Sequence, residues 1–153
     1  MTEPRFIVNP NAEGILRSLL APAVEAGARI LVDAIKDTLE EAPPRTGREY
    51  YVPGTKTKYT ASAPDEVPAV REGKYRDSWK ATKAFETPRG IAAAAVSDLV
   101  TDDGDPIGLL LEDGTADIVL RRFRMEPRPH LREAINRAGP PIEAKLAELR
   151  RAS

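Results

Sequence analysis

Along the first third of the chain, apolar residues recur at the three- and four-residue steps of an α-helix. Ile15, Leu16, Leu19 and Leu20 fall on one helical face, just after Asn11, whose side-chain oxygen is suited to accept the first unpaired N–H groups. Pro22 then either kinks this helix or opens a second one at its first position. Val24, Ala28, Leu31, Ile35 and Leu39 continue the apolar stripe, and Glu25, Arg29, Asp33, Lys36 and Glu40 fall on the other side. Residues 22–41 predict a helix roughly 30 Å long at 1.5 Å per residue, ended by Pro43 and Pro44.

The period then shortens. Residues 49–52 and 58–61 read as two short strands around Pro53-Gly54-Thr55. Residues 77–85 alternate, with Trp79, Ala81 and Phe85 on one face. A turn at Thr87-Pro88-Arg89-Gly90 leads into 91–96, small and apolar throughout, which predicts a buried partner strand. This pair is the strongest hairpin signal in the chain. Residues 101–106 form a polar loop, and 107–112 a short helix stopped by Gly114. Residues 117–125 are a strand or an extended loop. Pro127 and Pro129 precede a helix over about 130–137 with Leu131, Ala134, Ile135 and Ala138 inward. Gly139-Pro140-Pro141 is expected to break it, leaving Ile142, Leu146 and Leu149 in a final helical set. Residues 1–10 are an irregular lead-in in which Phe6, Ile7 and Val8 form a short strand or an anchor.

Between these elements lies a stretch with no usable period. Pro64 and Pro68 fix their own φ and push Ala63 and Val67 toward extended backbone. The stretch, about 53–75, reads as a long extended arm projecting from a compact body toward a neighbouring subunit. The fold class expected is α+β: a long N-terminal helix and a C-terminal helix packed on a small, mostly antiparallel sheet, as one domain over 1–153.

Composition narrows the functional classes. The chain has 153 residues, no cysteine, one histidine and a net charge of −1. These values exclude cysteine chemistry, a disulfide framework and histidine-cluster metal sites, and no cofactor is expected. The near-neutral charge argues against a dedicated nucleic-acid binder. No signal peptide or membrane-spanning run is evident, so a soluble protein made in the cytoplasm is expected.

Candidate chemistry is sparse. Asp102, Asp103 and Asp105 around Gly104 lack the spacing and terminal glutamate of a calcium loop and read as a solvated turn. His130 has no convergent nucleophile or acid at a recognisable spacing, so it is read as a helix-start or interface histidine rather than a general base. Arg121, Arg122, Arg124, Arg128 and Arg132 form a local basic excess: a solvated face, or a contact with phosphates or an acidic partner surface.

Four stretches in order carry a resemblance: ASAPDEVPA (61–69), EGKYRDS (72–78), LEDGT (111–115) and PRPHLREA (127–134). The series resembles the neck or tail-completion proteins of long-tailed bacteriophages, found at the head–tail junction. Those proteins carry an arm like A-S-A-P-G-x-x-P-A, a motif like T-G-x-L-R-x-S, a V-E-x-G-T turn, and P-R-P-F-L-R-x-A opening the last helix. Here Asp65 replaces the usual glycine of the arm, Glu72 and Tyr75 depart from the second motif, and His130 stands where phenylalanine is usual. The resemblance implies a structural virion protein rather than an enzyme. It implies a homo-oligomeric ring, commonly a hexamer, stacked between head-connector or stopper proteins and tail-terminator or tail-tube proteins, with DNA passing through its lumen. Tyr59, Ser62, Pro64, Pro68, Arg121, Arg122, Arg124, Arg128 and His130 are the expected subunit and ring contacts. Docking of the arginines on carboxylates is favoured over lining the lumen, because guanidinium and carboxylate pair bidentately. The alternative is a small nucleic-acid-binding or regulatory module using the basic patch.

Overall fold

The computed structural model describes residues 11–115 and 125–152, with the side chains of 149, 150 and 152 not described. The expected α+β architecture is present. Its elements are α1 (Ala12–Glu41), β1 (Glu49–Tyr51), β2 (Lys58–Thr60), α2 (Lys74–Ser78), β3 (Trp79–Ala81), β4 (Phe85–Thr87), β5 (Gly90–Ala92), β6 (Ala95–Ser97), α3 (Ile107–Asp113) and α4 (Leu131–Ala152). The lead-in 1–10 and most of the segment 117–125 lie outside the described residues.

α1 is one helix of 30 residues that runs through Pro22. A proline already has helical φ, and its missing N–H frees only the carbonyl of Ser18. Ser18 and Pro22 are both exposed, so this break in the ladder lies on the outer side of the helix. At the start of the helix Asn11 does not cap as expected. Its carbonyl accepts from Ile15 N–H at 3.0 Å, and its side chain makes no cap bond. At the other end Ala42 is extended, with φ −58° and ψ 150°, as the residue before Pro43 must be.

The buried face of α1 begins only at Ala23, since Ile15, Leu16, Leu19 and Leu20 are 41–59% exposed, and from there it is wider than the predicted stripe. Ala28, Ile35 and Leu39 are buried as expected, joined by Ala23, Val32, Ala34 and Thr38, and Val24 and Leu31 lie at its margin. The reason is that two different elements cover it. α4 packs along one side, and the β3 and β5 strands pack along the other. The core is one cluster: Val32, Ala34, Ile35 and Leu39 from α1, Trp79 from β3, Ala134 and Ala138 from α4. Small residues at the helix crossing let the two backbones approach closely.

α4 also differs from expectation. It continues through Gly139, Pro140 and Pro141 as a single helix of 22 residues. The two prolines leave the carbonyls of Asn136 and Arg137 without helical partners, and both residues are on the exposed side. Ala134 and Ala138 face inward as expected, but Ile135 is 57% exposed and Ile142 packs against the core instead.

The strands form three antiparallel pairs, β1–β2, β3–β6 and β4–β5. The predicted hairpin over 77–96 is present but bent. In its lower half Trp79 faces Ser97 and Ala81 faces Ala95, whereas in its upper half Phe85 faces Ala92 and Thr87 faces Gly90. The partner numbers sum to 176 below and 177 above, so the outgoing strand carries one extra residue in the joint at 82–84. That is a bulge, and it resets the alternation of faces. Trp79 is therefore buried while Phe85, expected on the same face, is 45% exposed. The returning strand is half-buried rather than buried. The joint is secured by Thr82, which bonds Ala94 through both its backbone and its hydroxyl, and by Glu25. Glu25, expected on the outer side of α1, accepts the Ala84 N–H at 3.0 Å. Residues 74–78, partly expected as strand, are instead the helical turn α2.

Candidate functional site

The four stretches that carry the resemblance meet in space. Their centre is His130, the residue just before α4, which is 0% exposed. Its Nδ1 lies 3.2 Å from the Arg128 carbonyl and 3.2 Å from a Glu112 carboxylate oxygen. Both are acceptors, so Nδ1 carries the proton. Nε2 is then the acceptor, and the Tyr75 hydroxyl donates to it at 2.7 Å. Burial pushes the His130 pKa below its ordinary value and the Tyr75 pKa above its own. Both side chains are therefore neutral near pH 7, as this pattern of donors requires.

Glu112 at the end of α3 ties the knot to the helix start. One of its oxygens accepts the His130 N–H at 2.9 Å and the Leu131 N–H at 3.0 Å. Unpaired amides and the positive end of the helix dipole both favour a carboxylate there. Gly114, next along, has φ +72°, and a Cβ there would stand 2.6 Å from the Met125 carbonyl. Thr115 and Met125 pair across this point, N–H to carbonyl at 2.9 Å and N–H to hydroxyl at 2.7 Å.

The expected projecting arm is instead fastened to its own chain. Arg128 grips Ser62, with Nε 2.7 Å from its hydroxyl and a terminal nitrogen 3.1 Å from its carbonyl. Asp65 N–H donates to Pro127 O at 2.9 Å. The Arg45 guanidinium bonds the Pro68 carbonyl at 2.8 Å, and Glu66 accepts from the Thr46 hydroxyl, the Thr46 N–H and the Ala63 N–H. Those three bonds, the hydroxyl foremost, pull the Glu66 carboxyl below its ordinary pKa. Polar backbone without a sheet partner must be satisfied somewhere, and here the charged side chains of Arg45, Glu66 and Arg128 do it. Asp65 has φ +62°, the left-handed conformation that glycine adopts most easily.

The expected contact residues consequently divide. Ser62, Pro68 and His130 are buried within the chain, so in this conformation they are not surface for a neighbour. Tyr59 and Arg128 are half-buried and Pro64 is exposed. Arg121, Arg122 and Arg124 lie outside the described residues. Sequence reading missed Glu112 and the Tyr75 hydroxyl, because no local spacing links them to His130, 18 and 55 positions away.

One open groove of about 610 Å³ adjoins the knot, lined among others by Tyr50 and Tyr59 of the first hairpin, Leu111, Met125, Arg71 and Arg128. Among the described residues, no group of three or more His, Asp or Glu is gathered to hold a metal ion. Among them, too, no helix is long and apolar enough to cross a membrane.

Comparison of the chain with protein-family models, with curated proteins and with solved structures finds no match in any of the three.

Proposed function

We propose that the chain is a structural virion protein of the bacteriophage head–tail junction, a neck or tail-completion subunit that assembles into a ring through which DNA passes, and not an enzyme. The observation that carries this reading is where the departures from the neck-protein pattern fall. Tyr75 stands at a leucine position and His130 at a phenylalanine position, and these two side chains bond each other at 2.7 Å. Where the family pattern has two apolar residues, this chain has a hydrogen-bonded pair. Asp65, at a glycine position, has the positive φ that explains a glycine there. Of the four departures, Tyr75 and His130 are thus in contact and Asp65 lies in left-handed backbone, while Glu72 pairs with Arg71 and Lys74.

The enzymatic reading loses its candidate. His130 is buried and engaged at both ring nitrogens by its own chain, so it presents no free base to a substrate. In the ring reading, hexameric assembly, docking on connector or stopper and tail proteins, and location in the virion are all part of the proposal. The test is the mass of the purified protein in solution, with and without isolated tails or connector, combined with electron microscopy. Closed rings, alone or on those partners, are expected. A protein that stays monomeric at high concentration and in the presence of both would overturn the reading.

A further inference from the structure

We propose that the groove between the first hairpin and α3 receives an extended acidic segment of a partner protein. Its wall joins aromatic and aliphatic surface, from Tyr50, Tyr59, Leu111 and Met125, to two cationic groups, Arg71 and Arg128. Tyrosine and arginine beside apolar surface are the side chains that carry most binding energy at protein interfaces.

Charge specifies the occupant. Among the described residues that line the groove, the charged ones are both arginines. Arg128 donates to the hydroxyl and carbonyl of Ser62 and to the Glu126 carbonyl, all neutral oxygens. A guanidinium has five N–H groups, so this fixed cation still has donors for a carboxylate. Arg71 shares its carboxylate, Glu72, with Lys74, at 3.0 and 2.7 Å. The rim therefore carries cationic charge that its own carboxylates leave incompletely matched.

The apolar floor and the two arginines ask for apolar side chains alternating with carboxylates, which an extended strand supplies at every second residue. Single-stranded nucleic acid is disfavoured by the same geometry. The Tyr50 and Tyr59 rings lie 6.1 Å apart and tilted by 33°, packed on each other rather than parted for a base. The Tyr75 ring is turned to His130 and Trp79.

The test uses the full chain and fluorescein-labelled peptides followed by anisotropy. One peptide alternates leucine with aspartate, and its counterpart has lysine in place of each aspartate. Saturable, salt-sensitive binding of the acidic peptide alone is expected. Arg71→Glu should weaken it about tenfold or more, and Tyr50→Ser should weaken it without the change in salt response. Both residues are exposed, so both variants are expected to fold, and their thermal melts check this. The proposal is overturned if neither peptide binds saturably, if both bind alike, or if folded variants bind as the parent does. It is also overturned if a labelled oligothymidylate binds more tightly than the acidic peptide and loses affinity in the same variants. The groove does not rest on the ring reading: loss of one result leaves the other standing.

Discussion

The Tyr75 hydroxyl and His130 Nε2 stand 2.7 Å apart in the interior, and each is the partner the other requires. The His130 tautomer is set from its far side, where Nδ1–H faces the Arg128 carbonyl and Glu112. Tyr75→Leu should therefore leave an acceptor buried without a donor and cost about 1–3 kcal/mol. In the double variant with His130→Phe, the loss should be smaller than the sum of the single losses by about 0.5–3 kcal/mol. Urea unfolding of the four proteins measures this directly, and strict additivity would refute the coupling.

The same histidine sets a pH dependence. Burial holds its folded pKa below the ordinary 6.5, so the unfolded chain binds the proton more readily. The stabilisation is fully present above pH 6.5 and is lost as the pH falls below it toward the folded pKa. Thermal midpoints should fall between pH 7 and 5 in the parent, and His130→Phe should flatten that slope. The lowered carboxyls of Glu25, Glu66 and Asp77 act only at lower pH, below their ordinary values of 4.5 and 3.8. A parent profile that is already flat from pH 7 to 5 would contradict the assignment.

Asp65 holds a left-handed backbone at φ +62°. Asp65→Gly should be neutral or stabilising by up to about 1 kcal/mol, and Asp65→Val should destabilise, because a β-branched residue is least tolerated there. Chemical denaturation of the two variants gives the order. If valine proved as stable as glycine, the strain at this position would be absent.

Gly47 donates its N–H to the Ala61 carbonyl at 3.0 Å, and a Cβ on it would stand 2.4 Å from that same oxygen. The obstacle is backbone, so it cannot rotate away. Gly47→Ala should cost about 2 kcal/mol or more and should release the arm, read as faster proteolysis within 61–70. Unchanged cleavage and stability would mean that the arm shifts freely at this point.

Trp79 is 7% exposed and belongs to the central cluster with α1 and α4. Trp79→Ala should destabilise by roughly 3–5 kcal/mol. A loss below about 1 kcal/mol in urea unfolding would be incompatible with a core position.

Local pattern was sufficient for much of this molecule. The three- and four-residue steps of α1, the turn at Thr87-Pro88-Arg89-Gly90, the stop at Gly114 and the burial of Trp79 follow from periodicity and turn chemistry. These are properties that neighbouring residues decide among themselves. What failed were particular inferences that needed to know what lay opposite. Pro140 and Pro141 read as a break, yet packing of the inner face of α4 outweighs the two unpaired carbonyls they leave, and Pro22, read as a kink or a new helix start, lies within one continuous helix. Phe85 was turned outward by one extra residue in a joint that is held by Thr82 and by Glu25 of a distant helix. The arm, unpatterned in sequence, was given its course by Arg45 and Arg128, which satisfy its backbone from outside, and by its own Glu66. Buried polar groups must be paired, but sequence does not say with whom. The tertiary fold alone brought Tyr75, Glu112 and His130 together, because the penalty for leaving any of them unpaired in the interior is larger than the penalty of any local irregularity needed to join them.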